Sequence, residues 1–269
     1  MHCAMLVFVF LSLCGVQALR TESEQSLRMA AIEDLVLRIL RSESTGPGEY
    51  STCFTTATRP TLTIVSLVAG LPAEYVTALR ENRALEDDDY GYEYCEYNHS
   101  LDDSRDVAWS KVVAIRELLK QNKSRLVWMD GDAFFTTKKP FEEFTKPYFD
   151  AGKDMVFTDD IPGGSKVNSG VVAMRNTEWT KSFWKHIWED YPEALQDSLW
   201  EQKAIELHME RHKEVMPHIQ IIPHKKMNSV GRDWGPFVAH KAGGHVSDKY
   251  QKLLPRVREA NKGMKSGRI

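Results

Sequence analysis

Apolar positions follow two different spacings along this chain, and the spacings take turns. Leu62–Val68 (LTIVSLV) is a short apolar run closed by Gly70 and Pro72, and reads as a strand. A helical pattern follows over Ala73–Arg83, with Pro72 suited to its first turn. A second strand is expected at Tyr92–Tyr97. Over Val107–Gln121, the residues Trp109, Val112, Val113, Arg116 and Leu119 recur at helical spacing, so that stripe packs down. Arg125–Met129, Asp154–Thr158, Asn168–Arg175 and Ile219–Ile222 read as strands, and Thr177–Glu189, Leu199–His212 and Asp248–Asn261 as helices. Strand alternating with helix predicts an α/β fold, a mainly parallel sheet with helices on both faces. The stripe Trp179, Phe183, Trp184, Ile187 and Trp188 is aromatic enough for a sugar platform, but its helical spacing assigns it to the core.

The N-terminus follows another rule. Ala4 to Val16 is an apolar run, and Val16-Gln17-Ala18 after it suits a signal peptidase. The run is shorter than the ~20 residues of a membrane span and lacks a basic flank. Residues 1–18 are therefore expected to be a signal peptide or signal anchor. Residues 19–55 are expected to form a stem with an amphipathic helix at Ala30–Leu40, and residues 56–269 a single domain. Of the 269 residues, 42% are hydrophobic and 27% charged, ordinary for a globular protein. A net charge of −3 without any basic run argues against a nucleic-acid partner.

Two sequons, Asn98-His99-Ser100 and Asn122-Lys123-Ser124, suit a secretory route. Cys53 and Cys95 remain once the N-terminal Cys3 and Cys14 are set aside; a disulfide and two free thiols both stay open. The acidic segment Glu86–Asp89 is expected to be a solvated loop.

Candidate chemistry centres on LVWMDGDA, Leu126 to Ala133, where a buried strand runs into two aspartates. Unpaired carboxylates are costly to desolvate. Asp130 and Asp132 therefore cap the exposed carboxyl end of the strand, where ligands bind in such sheets, or hold a hard cation such as Mn²⁺ or Mg²⁺. The plainer reading is a solvated turn in which Gly131 supplies a positive φ. An aspartate pair after a strand also opens haloacid-dehalogenase-type phosphatases, but on their first strand; here two strand–helix units come before it. His208 and His212 lie four apart, in the order H-M-E-R-H rather than H-E-x-x-H, and read as a solvated helix face. His240 ends the apolar run of PFVAH ahead of Gly243-Gly244, and could be a third metal ligand beside D-G-D.

Five segments in order resemble the galactosyl/mannosyl/xylosyltransferases of glycosyltransferase family 34. Trp109-Ser110-Lys111 with Arg116 and Leu118 is similar to the helix before the metal strand. Trp128 to Ala133 is similar to W-x-D-x-D-A, and Asn168-Ser169-Gly170 with Arg175-Asn176 and Trp179 to N-x-G…R-N-x-x-W. Glu201-Gln202 with Ala204 fits E-Q-x-A. Ile222-Pro223…Asn228-Ser229 and Phe237…His240…Gly243 fit the closing pattern. The match spans residues 109–245. The chain departs from the family at Pro223-His224-Lys225 and at Gly244, where plant members have a cysteine.

The resemblance implies a GT-A nucleotide-diphospho-sugar transferase fold and a metal-dependent, retaining transfer of a hexose or pentose to a glycan acceptor. The donor would be UDP-galactose, UDP-xylose or GDP-mannose. It implies Mn²⁺ (or Mg²⁺) on Asp130, Asp132 and His240. Lys111, Asp160, Asn168 and Gly243 would contact the donor together with Asp130. Gln202 would lie under the anomeric carbon and Glu201 beside the acceptor. It also implies a place in the secretory pathway, in the Golgi lumen or at its membrane. Two alternatives stand beside it, an inactive lectin-like member and a metal-dependent phosphohydrolase.

Overall fold

The computed structural model describes residue 30 and residues 51–267, apart from 56, 59, 122, 162–163, 231–236 and 243–245. The expected signal segment, the stem helix beyond residue 30, the sequon residue Asn122 and both Gly243 and Gly244 lie outside the described residues. Among the described residues no helix is long and apolar enough to cross a membrane.

Among the described residues ten strands and seven α-helices follow one another. They begin with β1 (Ser51–Phe54), β2 (Thr63–Leu67), α1 (Ala73–Tyr90) and β3 (Glu93–Tyr97). A 3₁₀ turn at Val107–Trp109 leads into α2 (Ser110–Leu119), then β4 (Arg125–Met129), β5 (Ala133–Phe135) and α3 (Phe141–Asp150). Next come β6 (Met155–Thr158), β7 (Asn168–Arg175), α4 (Glu178–Glu189) and α5 (Glu201–Arg211). The chain continues through β8 (Ile219–Ile222), α6 (His224–Met227), β9 (Ser229–Val230), β10 (Val238–His240) and α7 (Val246–Ser266).

The central sheet has seven strands in the order β1-β3-β2-β4-β7-β6-β8. β2, β3 and β4 are parallel, as are β6 and β8, whereas β7 runs antiparallel to both β4 and β6. The expected mainly parallel α/β sheet is present, with β7 reversed at its middle and β1 reversed at its edge. The reversal of β7 matters for the site, because it lays that strand's first residues beside the last residue of β4: Met129 pairs with Val171. A second sheet of three short strands, β5-β10-β9, was not predicted, since runs of two or three residues leave no period to read.

Side chains of β4 alternate between two apolar layers. Leu126 and Trp128 pack with α2, α4 and α5, and Val127 and Met129 pack on the opposite face with Phe141 and Phe237. The aromatic stripe of α4 joins the first layer through Phe183, Trp184 and Ile187, as its spacing predicts. A third cluster joins α1 and α7 over Phe134 and Ala239.

Several expectations are corrected. β1 occupies residues assigned to the stem and pairs antiparallel with β3, with Cys53 opposite Cys95 and a disulfide joining them. α1 runs seven residues beyond Arg83, so Glu86–Asp89 is helix rather than loop. Glu86 is fully buried there and burial holds its carboxyl well above the usual range, while Asp89 pairs with Lys138 at 2.6 Å. His208 does not lie on a solvated face. It is buried in α5 with Nδ1 2.6 Å from the Tyr191 hydroxyl, and only His212 is exposed. Of the stripe ahead of and in α2, Trp109, Val112 and Leu119 are buried as expected and are joined by Ala114, Ile115 and Leu118, whereas Val113 is only partly buried and Arg116 reaches toward Glu189.

Candidate active site

At the carboxyl end of β4 the chain turns at Asp130-Gly131-Asp132 and re-enters as β5. Gly131 is not in a positive-φ conformation, against the plainer reading of a solvated turn. A Cβ there would lie 2.7 Å from the Leu67 carbonyl oxygen, so glycine is required by a close approach to the end of β2. The backbone of β7 fixes the first aspartate: Asp130 N donates to Gly170 O at 2.8 Å. The strand pairing of β5 and β10 fixes the third group, because His240 stands opposite Ala133, next to Asp132.

Asp130, Asp132 and His240 thereby offer ligand atoms all within 4.8 Å of one another. His240 Nε2 lies 3.3 Å from Asp132 Oδ1 and 3.7 Å from Asp130 Oδ2. Asp132 and His240 are buried, whereas Asp130 is half-exposed. Two carboxylates and an imidazole form a mixed oxygen–nitrogen donor set, which fits Mn²⁺ better than an all-oxygen Mg²⁺ cage. Gly170 is the other half of this arrangement, since the imidazole fills the space that a Cβ at position 170 would take.

Lysines balance the carboxylates. Asp106 caps the turn ahead of α2 by accepting from Ala108 N at 2.9 Å, and α2 then delivers Lys111 into the site. Its Nζ lies 3.0 Å from Asp130 Oδ1 and 2.5 Å from Glu201 Oε1, and donates to Ser169 O at 3.1 Å. Burial opposes the ammonium charge, but Asp130 and Glu201 outweigh it and hold its pKa above the usual lysine range. Trp128 Nε1 donates to the same Asp130 oxygen at 2.6 Å. Burial alone would raise the Asp132 carboxyl. His240 and Lys249 outweigh it and hold Asp132 well below the usual range, while the two aspartates raise His240 against its own burial.

The start of β7 and the start of α5 complete the cluster. Gln202 Oε1 accepts from Ser169 N at 2.9 Å and lies 3.2 Å from Ser169 Oγ. Ser169 Oγ donates to Glu201 Oε1 at 2.9 Å. Asn168 Oδ1 accepts from Gly170 N at 2.9 Å and from Asn228 Nδ2 at 2.7 Å, and its amide reaches Asp160 Oδ1 at 3.5 Å.

Of the site residues expected from sequence, Lys111, Asp130, Asp132, Asp160, Asn168, Glu201, Gln202 and His240 thus meet in one connected cluster, and Gly243 lies outside the described residues. Ser169, which bridges Lys111, Glu201 and Gln202, was missed although it stands inside N-S-G. Lys249 of α7, which pairs with Asp132, gave no signal, nine residues past His240 in what reads as a tail helix.

A family model of nucleotide-diphospho-sugar transferases matches residues 77–252, well over half of the chain. The chain belongs to the nucleotide-diphospho-sugar transferase family. It is accordingly an enzyme of the glycosyltransferase class. No curated protein matches its sequence significantly. Among solved structures the transferase is similar to a glycosyltransferase involved in glycosylation of the major capsid of PBCV-1. The identity is 17% and the TM-score 0.57, over 72% of this chain and 98% of that one. It is also similar to the glycosyltransferase GlyE of Streptococcus pneumoniae TIGR4, at 11% identity and a TM-score of 0.55. That match covers 78% of the transferase but only 63% of GlyE. At these identities the likeness is one of fold, and the fold is GT-A.

Proposed function

We propose that this transferase moves a hexose or pentose from a UDP- or GDP-sugar to a glycan acceptor, with retention of configuration and with manganese, as in glycosyltransferase family 34. The observation that carries the reading is the meeting of Asp130, Asp132 and His240 at the end of β4, ringed by Lys111, Asn168, Glu201 and Gln202. Those three residues would hold the cation, which when bound neutralises a diphosphate and stabilises it as a leaving group. Lys111 adds a buried positive charge on the same side. Ser169 orients the Gln202 carboxamide by donating its backbone N–H to the amide oxygen, so the amide is fixed before substrate arrives. Glu201 is held as the ion-pair partner of Lys111, which makes it a positioning group rather than a free base. The acceptor proton then passes to the departing phosphate, in keeping with front-side retention.

The proposed setting is the Golgi lumen, with residues 1–18 as signal or anchor and a stem that ends ahead of β1, at residue 50. The Cys53–Cys95 disulfide supports an oxidising compartment. The test is a panel of UDP-galactose, UDP-xylose and GDP-mannose with and without a chelator, followed by NMR of the released anomer. Manganese-dependent consumption of one donor with retention is expected. Hydrolysis of a phosphate monoester, with no nucleotide sugar consumed, would overturn the reading.

A further inference from the structure

Five large apolar residues among those described are exposed: Val107, Ile161, Leu199, Trp200 and Met216. Four of them stand within a few positions of site residues along the chain. Val107 begins the turn that leads to Lys111, Ile161 follows Asp160, and Leu199-Trp200 precede Glu201-Gln202. Singly exposed apolar residues need no explanation.

Trp200 stands apart from the others. It is the one non-glycine residue with positive φ among those described, at φ 47° and ψ −123°. That is the conformation of the first central position in a type II′ turn, where glycine is the expected residue. Holding a bulky residue there strains the backbone. The backbone is tied down on both sides: Trp200 N donates to Asp197 O at 3.1 Å, and its carbonyl accepts from Lys203 N at 3.1 Å.

Fold stability does not explain the indole. Trp200 is 40% exposed, and among the described residues no hydrogen bond or ring contact engages its indole. Trp128 and Trp184 are each hydrogen-bonded, Trp109 and Trp188 pack edge to face, and Trp179 stacks on His218. A strained, partly exposed tryptophan next in sequence to Glu201 therefore has no polar or ring partner that accounts for it.

We infer that Trp200 is the acceptor platform: a pyranose of the glycan acceptor lays its apolar C–H face on the indole while its hydroxyls face the polar cluster. This rests on the transferase reading above. A ring with one apolar face and polar edges suits a lone indole set between Asp197 and Glu201 better than a lipid surface does, which would need a wider apolar patch.

The test uses the full chain on a printed glycan array with manganese and UDP or GDP present, comparing wild type, Trp200→Gly and Trp200→Phe. Wild type is expected to bind a subset of glycans, Trp200→Gly to lose at least tenfold, and Trp200→Phe to keep most of the binding. In urea, Trp200→Gly is expected to be as stable as wild type or more so, since glycine relieves the strained φ. Calorimetry of UDP or GDP with manganese on wild type separates the two failures, because absence of nucleotide binding sinks the transferase reading itself. With nucleotide bound, unchanged glycan binding by Trp200→Gly, or no glycan bound by wild type, overturns the platform. So does a Trp200→Gly variant that is less stable, or one whose only loss is adsorption to phosphatidylcholine vesicles.

Discussion

A methyl group added at Gly170 would stand 2.0 Å from His240 Cε1, 2.6 Å from Nδ1 and 2.8 Å from Nε2. Carbon atoms in contact prefer about 3.5–4.0 Å, so the imidazole would have to retreat by roughly 1.5 Å. The strand cannot give way in its place. Gly170 O holds Asp130 N and Gly170 N is held by Asn168, so any movement of β7 displaces the first aspartate as well. Reacting constellations tolerate about 0.5 Å, and a 1 Å misplacement can cost about 100-fold. Gly170→Ala should therefore lower manganese-supported donor turnover by about 100-fold or more, and cost about 1–3 kcal/mol of stability through overpacking. The assays are donor consumption against manganese concentration and urea denaturation. The double variant Gly170→Ala/His240→Ala should recover stability, because the clash is gone, without recovering turnover. Turnover by Gly170→Ala within threefold of wild type at equal manganese would refute the placement of His240 in the reacting cluster.

Two further predictions concern the scaffold. Burial, and after it His212 and His186, holds the pKa of His208 down to about 4. Between pH 6.5 and 4 the unfolded chain binds a proton that the folded one refuses, so stability present above pH 6.5 is lost on acidification, by up to about 3 kcal/mol. Denaturation midpoints against pH should show this excess slope in wild type and not in His208→Gln; equal slopes would count against it. The Cys53–Cys95 bridge spans 42 positions, a loop whose closure is worth about 4 kcal/mol in the chain-entropy account. Dithiothreitol or Cys53→Ser should lower the urea midpoint accordingly, and an unchanged midpoint would mean that the bridge adds nothing.

Most of the central sheet was legible because its strands and helices are long enough to show a period; Asn168–Arg175 and Ile219–Ile222 coincide with their predicted limits. Strand direction was not legible. An apolar run reads the same either way, so the reversal of β7, which brings Asn168-Ser169-Gly170 against Asp130, had to come from the fold. Close approach was equally hidden. Gly131 looked like a turn glycine, and its reason is the Leu67 carbonyl. Glu86 was misread because a charged residue is ordinarily solvated, whereas here the last turns of α1 carry it into the interior. Lys249 depends on how α7 docks against the β5–β10 strands, and no local pattern encodes that.

Titration of Mn²⁺ into the full chain with UDP or GDP present, followed by the electron paramagnetic resonance of the free ion, tests the central claim most directly. Wild type should take up one manganese per chain, and Asp132→Asn and His240→Ala should weaken that uptake by at least tenfold. Equal uptake by all three proteins, or none by wild type, would contradict the assignment of Asp130, Asp132 and His240 as the metal centre of this transferase.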